Sequence, residues 1–438
     1  MIMKHLLVIL LGMFTFTTLS AAELILDVNL ENPVLLAGKP QITYIKVGLK
    51  GFEWTRSGDR APLNVALVLD RSGSMEGEKL ERAKDAARYA VGLLETRDIL
   101  SIVTYETEVQ VLVPATKLTD KREILRLIDG IHTDGSTALF AGVSKGAAEV
   151  QKFLRREQVN RVILLSDGLA NVGPDSPGEL AELGSSLRRQ GISVTTIGLG
   201  LDFNEDLMTR LAQASDGNHA FVQEPRDLVQ IFNSEFKDAL SVVARDVEIK
   251  LICAPGIKPL RILNREGDIR GQEITLSLNQ VYSLQEKYFL VEVEIPALTP
   301  AALRPVAEVQ TAYLNLQSAS RQNLSSSLTV RGTASPQEQT LSRVKDVAES
   351  VALQKNVEAG EQAIQFRDAG ESEKAKKVLE ESAAGLRVLA AELASPALEA
   401  QSTQTAADAS KLDEEEDWQA QRKSMRASQY STENQQSY

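Results

Sequence analysis

Apolar residues recur with two different periods along this chain, and the period changes at two points. Residues 23–55 alternate between apolar and polar side chains, and the alternation returns after Asp246. Such alternation predicts strands with one buried face. Between these stretches, from Leu63 to about Ser241, continuous apolar runs alternate with helical patterns, which is typical of a mostly parallel sheet. The chain is therefore predicted to contain a doubly wound α/β unit with a β-rich flank on each side.

The two flanks are predicted to form one β-sandwich into which the α/β unit is inserted. An isolated hairpin is unstable in water, and the N-terminal flank is too short to supply a second packing face of its own. Strands from the C-terminal flank can supply that face. We therefore expect an N-terminal β flank at residues 23–58, an α/β domain at 59–243 and a C-terminal β flank at 244–333.

Helical patterns follow the second flank. Residues 335–338, Ser-Pro-Gln-Glu, are a capping box, which starts a helix, and Gly370 interrupts the helical period before it resumes. We therefore expect a helical hairpin over residues 334–396. Residues 397–438 are rich in Ser, Thr, Gln and Ala. That composition buries too little apolar surface to order itself, so we expect a disordered tail there.

The first 22 residues have the composition of a secretory signal peptide. Lys4 supplies the positive start, residues 6–19 the apolar stretch and residues 20–22 the small-residue cleavage site. We expect export to the periplasm or the cell surface of a bacterium, with an uncleaved anchor in the inner membrane as the alternative. Cys253 is the only cysteine, so no internal disulfide is available, which fits a bacterial periplasm or surface better than a eukaryotic extracellular matrix.

The charge of the chain narrows the choice of partners. The formal net charge is −12, which disfavours nucleic acid and anionic membrane surfaces. No run of 18 or more apolar residues follows the signal segment, so we expect no membrane insertion of the mature chain.

One apolar run leads to the first candidate ligands. The run that begins at Leu63 ends in Asp70, and hydroxyl groups follow at Ser72 and Ser74. Because the run does not alternate, it is predicted to be a strand buried on both faces. Ligands of open α/β sheets bind at the carboxyl ends of such strands. These three side chains are therefore predicted to lie at a binding edge.

Two further loops supply oxygen atoms at the same edge. A second buried strand ends at Ser166 and is followed by Asp167, and Thr137 precedes a helical pattern. Carboxylate and hydroxyl oxygens are hard donors, which suit Mg²⁺, Mn²⁺ or Ca²⁺ and suit zinc poorly. The three loops together therefore predict a divalent-cation site.

The order of these residues resembles the metal-ion-dependent adhesion site (MIDAS) of von Willebrand factor type A (VWA) domains, here Asp70-x-Ser72-x-Ser74, Thr137 and Asp167. The resemblance covers less than half of the chain and implies the doubly wound α/β fold of that family. It implies that the three hydroxyl groups bind the ion directly, while the two carboxylates act mostly through bound water. It also implies that a carboxylate of a partner protein takes the open position of the ion.

Three functions are compatible with this pattern. The main interpretation is a non-enzymatic module that binds a protein partner through a divalent cation and an acidic residue of that partner. The second is a structural or assembly role in a bacterial envelope complex, in which the metal only stabilises the fold. The third, a hydrolase that pairs Ser74 with His132, is disfavoured because the loop lacks the G-x-S-x-G elbow.

Overall fold

A computed structural model describes residues 23–54, 60–412 and 418–436, and the predicted signal peptide at residues 1–22 lies outside them. The strands are β1 (Ile25–Leu30), β2 (Val34–Leu36), β3 (Gln41–Lys50), β4 (Leu63–Asp70), β5 (Ile99–Tyr105), β6 (Val109–Lys117), β7 (Val159–Ser166), β8 (Ile192–Leu199), β9 (His219–Val222), β10 (Val242–Cys253), β11 (Lys258–Ile262), β12 (Asp268–Arg270), β13 (Glu273–Tyr282), β14 (Glu286–Ile295), β15 (Leu303–Asn315) and β16 (Ser320–Thr333). The helices are α1 (Glu78–Leu93), α2 (Lys121–Asp129), α3 (Leu139–Gln151), α4 (Pro177–Arg189), α5 (Glu205–Ala214), α6 (Leu228–Leu240), α7 (Pro336–Leu341), α8 (Lys345–Asp368), α9 (Ser372–Leu393), α10 (Pro396–Lys411) and α11 (Trp418–Asn434).

The α/β domain is built on a sheet with the strand order β6-β5-β4-β7-β8-β9. Only the pairing of β5 with β6 is antiparallel within this sheet. Every residue of β4 and β7 is buried, because α1 and α6 pack on one face and α3, α4 and α5 on the other. This arrangement confirms the predicted doubly wound, mostly parallel sheet.

Two further sheets form the predicted sandwich, and each contains strands from both flanks. One has the order β1-β3-β14-β11 and the other the order β12-β13-β10-β15-β16-β2. Their facing sides bury a shared apolar core that includes Val47, Leu251, Phe289 and Val309. Strand β10 starts two residues after the end of α6, so the last helix of the α/β domain leads directly into the sandwich.

The C-terminal region confirms one prediction and corrects another. Helices α8 and α9 form the predicted hairpin. The predicted disordered tail at residues 397–438 is wrong, because most of its described residues lie in α10 and α11. Ser395 caps α10 by accepting a hydrogen bond from the Leu398 backbone N–H.

The composition argument failed because these helices do not need an apolar core of their own. Most of the side chains they bury are small or polar. The few large apolar ones, Leu398, Leu412 and Met425, join apolar clusters with α8 and α9. Lys423 Nζ donates to the Phe203 backbone carbonyl at 2.5 Å, and the Tyr430 hydroxyl donates to the Gly217 carbonyl at 2.7 Å. Helix α11 therefore packs on the α/β domain. None of the helices in the described ranges is long and apolar enough to cross a membrane.

Candidate metal centre

The first carboxylate of the candidate site is held rigidly at the end of β4. Asp70 is fully buried. Its Oδ1 accepts from the Ser72 backbone N–H at 2.9 Å, and its Oδ2 accepts from the Ser166 hydroxyl at 2.8 Å. The adjacent strand β7 therefore helps to orient Asp70, and the hydrogen bond to Ser72 bends the chain into the loop that carries the two serines.

The serine hydroxyls connect this loop to the second carboxylate. Ser72 Oγ lies 3.1 Å from Ser74 Oγ, and Ser74 Oγ donates to Asp167 Oδ1 at 2.7 Å. The second oxygen of Asp167 accepts from Lys79 Nζ at 2.6 Å. Asp167 is fully buried, so both of its oxygens are satisfied inside the protein.

Two hydrogen bonds with Asn171 hold Thr137 in place beside these residues. Its N–H donates to Asn171 Oδ1 at 2.8 Å, and the Asn171 N–H donates to the Thr137 carbonyl at 3.2 Å. A Cβ atom built on Gly168 would lie 3.2 Å from Thr137 Oγ1 and 3.4 Å from Ser74 Oγ. The two hydroxyl groups therefore converge over Gly168, and the structure brings all five predicted site residues together.

The loops around the site are also tied to each other. The Gly73 N–H donates to the Gly135 carbonyl at 3.2 Å, and the Asp134 N–H donates to the Arg71 carbonyl at 2.8 Å. Gly135 has a φ of +61°, and a Cβ there would collide with the Glu106 carboxylate. A residue other than glycine would therefore disturb the loop that presents Thr137.

The electrostatics of the site favour a bound cation. Burial raises the pKa of Asp70 to about 6, and the nearby Asp167 carboxylate acts in the same direction, against the hydrogen bonds from Ser72 and Ser166. Two buried carboxylates of like charge repel each other, and a divalent cation between them would remove that repulsion. In the described ranges no group of three or more His, Cys, Asp or Glu side chains forms a metal cluster. The donors at the candidate site are instead three hydroxyl groups and two carboxylates, and such oxygen atoms suit a hard cation such as Mg²⁺.

A cleft of about 630 Å³ opens at these hydroxyl groups. One wall carries Ser74, Thr137 and the exposed side chain of Leu169. The lining of the cleft also includes Trp418 and Arg422 of α11. A partner that reaches the site therefore also meets the C-terminal helix.

Sequence reasoning missed several residues of this site. Ser166 and Asn171 lie within four residues of Asp167, and a polar residue beside a predicted ligand is the signal that could have singled them out. Lys79 has no such signal, because its partner lies 88 positions further along the chain. The pair of Ser74 and His132, which the disfavoured hydrolase would need, is not formed. His132 is exposed, and the Ser74 hydroxyl contacts Ser72 and Asp167 instead.

Comparison with known proteins agrees with this architecture. Residues 64–234 match the sequence model of the von Willebrand factor type A domain. The chain is 29% identical over 214 residues to the uncharacterised protein YfbK of Escherichia coli K12, an alignment that covers 48% of this chain and 37% of YfbK. Its fold resembles a von Willebrand factor type A protein of Catenulispora acidiphila, with a TM-score of 0.70, 16% identity, and coverage of 88% of this chain and 89% of the other. It also resembles VWA2, an ArnB paralog of Sulfolobus acidocaldarius, with a TM-score of 0.66, 18% identity, and coverage of 95% and 100%.

The chain therefore contains a VWA domain. VWA domains are typically protein-interaction modules and are mostly non-enzymatic, and they commonly bind a divalent metal at a MIDAS. The chain spans 37% of the length of YfbK, and the two solved structures are under 25% identical to it. These likenesses therefore establish the domain and the fold.

Proposed function

We propose that this protein binds a divalent cation, Mg²⁺ or alternatively Mn²⁺ or Ca²⁺, and through it an acidic residue of a partner protein. The observation that carries the proposal is the convergence of five oxygen-bearing side chains from three loops at the carboxyl edge of the sheet, next to an open cleft. Ser72, Ser74 and Thr137 would hold the ion directly. Asp70 and Asp167 would hold it mostly through water.

This ligand set explains how the site attracts a carboxylate. The bound ion would supply positive charge at a position open to the cleft, and hydroxyl ligands leave that charge largely uncompensated. The protein as a whole is acidic, so attraction to an acidic partner has to be local to this site. The loops and α11 would then supply the surrounding contact surface.

We also propose that the protein is exported and acts in the periplasm or at the cell surface, with an uncleaved inner-membrane anchor as the alternative. Support comes from the composition of residues 1–22. We propose no enzymatic activity, because the Ser74 hydroxyl contacts Ser72 and a carboxylate and has no histidine partner among its hydrogen bonds in the described residues.

The second candidate function is an envelope scaffold in which the metal only stabilises the fold. It is favoured by the helices α8 to α11, which extend beyond the VWA domain and expose the apolar side chain of Val388. In that case the helical region would be the docking element, and partner binding would not depend on a cation.

Calorimetric titration with Mg²⁺ and Mn²⁺ tests the metal site. We expect Thr137→Ala to lose roughly 2 kcal/mol or more of cation binding free energy, since removing a ligand or its support costs 10- to 100-fold in affinity. Ser136→Ala is the matched control, because Ser136 is the exposed neighbour of Thr137 in the same loop. Equal cation affinity in the two variants would contradict the assignment.

A further inference from the structure

Lys79 shares a carboxylate with the proposed metal site. Its Nζ lies 2.6 Å from Asp167 Oδ2, and the lysine side chain is 24% exposed while that of Asp167 is fully buried. The other oxygen of Asp167 accepts from Ser74, one of the hydroxyl groups proposed to bind the cation. The ammonium group and the proposed cation position therefore compete for the same buried carboxylate.

The place of Lys79 in helix α1 is unfavourable for a cation. It is the second residue of α1, where the helix dipole and the unpaired backbone N–H groups favour negative charge. The stability of the helix therefore does not account for a lysine at this position. The ion pair with Asp167 does account for it.

The loop after β8 lies next to this side chain. Gly200 follows β8 with a φ of +73°, and a Cβ built there would lie 3.6 Å from both Cε and Nζ of Lys79. The lysine therefore lies between the loop after β8 and the carboxylate at the end of β7. Its ammonium group has a defined position, in contrast to a freely moving surface lysine.

We propose that Lys79 is a built-in competitor of the cation, which holds Asp167 and sets the cation affinity of the site. This inference rests on the proposed function, since it assumes that the five oxygen ligands bind a divalent ion. Asp70 and Asp167 contribute two negative charges, and Lys79 cancels one of them. A divalent ion would bring this group to one net positive charge with Lys79 and to zero without it. Lys79 therefore weakens cation binding and leaves the loaded site positive towards an anionic partner.

The proposal predicts opposite effects of one substitution on two measurements. In Lys79→Met, calorimetry should show Mn²⁺ binding tightened about tenfold, because a like charge near the ion has been removed. In chelator, the same variant should melt at a lower temperature than the wild type, because the two buried carboxylates have lost their cation. Lys79→Arg should stay near the wild type in both measurements. Arg82→Met removes a charge from an exposed part of α1 and should change Mn²⁺ affinity by less than about twofold.

A purely structural role for Lys79 predicts a different pattern. If Lys79 only supported the loops, Lys79→Met would weaken Mn²⁺ binding together with stability, and that result overturns the proposal. Unchanged Mn²⁺ affinity in Lys79→Met overturns it as well. If the wild-type protein itself does not bind Mn²⁺, the proposed function fails, which is a separate outcome from a failure of the role of Lys79.

Discussion

Buried carboxylates are paired with cations to different extents at the two ends of the VWA sheet. At the carboxyl end, Asp70 and Asp167 are fully buried, and within the described residues Lys79 is the one cation that forms an ion pair with either of them, through Asp167. Near the amino-terminal ends of the strands, Glu235 accepts from Arg161, Thr195 and Asn218. The neighbouring Asp238 carboxyl interacts with the positive charges of both Arg161 and Lys287. One end therefore carries surplus negative charge beside an open cleft, and the other neutralises its charge inside the protein.

The difference separates a structural charge network from the proposed binding site. The Arg161–Glu235 pair is fully buried and lies where the VWA domain meets the sandwich, since Arg161 also donates to the Tyr282 hydroxyl of β13 at 2.7 Å. Such a network fixes α6 relative to the sheet and to the sandwich. At the other end, Lys79 pairs with only one of the two carboxylates, and no second cation forms an ion pair with them in the part of the chain that the structure describes. This is the arrangement expected of a cation site.

Breaking the paired network should have the largest effect on stability. Glu235→Ala leaves the buried Arg161 guanidinium without its carboxylate partner, and such a loss costs about 3–5 kcal/mol. We expect this decrease in the free energy of unfolding in a urea titration. Glu235→Gln is the control, because it keeps hydrogen-bonding atoms in place and should cost less than Glu235→Ala. A cost below about 1 kcal/mol for Glu235→Ala would show that the network does not hold the two domains together.

Removing one of the two buried carboxylates at the carboxyl end of the sheet should not lower stability. Asp70→Asn keeps the shape of the side chain and removes its repulsion with Asp167. In chelator at pH 8 we expect the free energy of unfolding to stay equal or to rise by up to about 3 kcal/mol, while cation affinity in calorimetry falls about 10- to 100-fold. A marked loss of stability in chelator would mean that Asp70 is a structural residue, like Glu235.

A pH-dependent effect on stability should appear at Asp238, near the amino-terminal ends of the strands of the VWA sheet. Burial raises the pKa of Asp238 to about 6, and the nearby Glu235 charge adds to this shift. The folded protein therefore holds a proton on Asp238 that the unfolded chain releases near pH 3.8, so this carboxyl costs stability as the pH rises from about 4 to about 6. Asp238→Asn should gain up to about 3 kcal/mol at pH 8 and well under about 1 kcal/mol at pH 4. Thermal melts at both pH values check this, and an equal gain at the two values would contradict it.

Local patterns were sufficient to predict the sheet and the meeting of five oxygen-bearing side chains at its carboxyl edge. Strands β4 and β7 are buried on both faces, so their sequences are mostly apolar, with Asn64, Asn160 and Arg161 near their starts, and each ends at a polar residue. The sandwich followed from alternation, which is also a local signal. Both kinds of pattern act over a few residues and are visible in one sequence.

The features that the sequence patterns did not predict depend on pairs of residues that are distant in sequence. Lys79 acquires its role only from Asp167, and Lys423 of α11 is buried only because Phe203 and Glu205 receive its ammonium group. More than 200 residues separate Lys423 from these partners. A composition rule judges each segment by its own apolar content, so it could not foresee that a polar helix would dock beside the candidate site.

Partner capture with and without a chelator tests the central claim most directly. The immobilised protein would be incubated with bacterial envelope extract in EDTA, in EDTA followed by excess Mg²⁺, and as the Thr137→Ala and Ser136→Ala variants. We predict that capture of a specific partner disappears in EDTA, returns with Mg²⁺, fails in Thr137→Ala and persists in Ser136→Ala. Capture at full strength in EDTA would contradict the cation-dependent mechanism and favour the scaffold function.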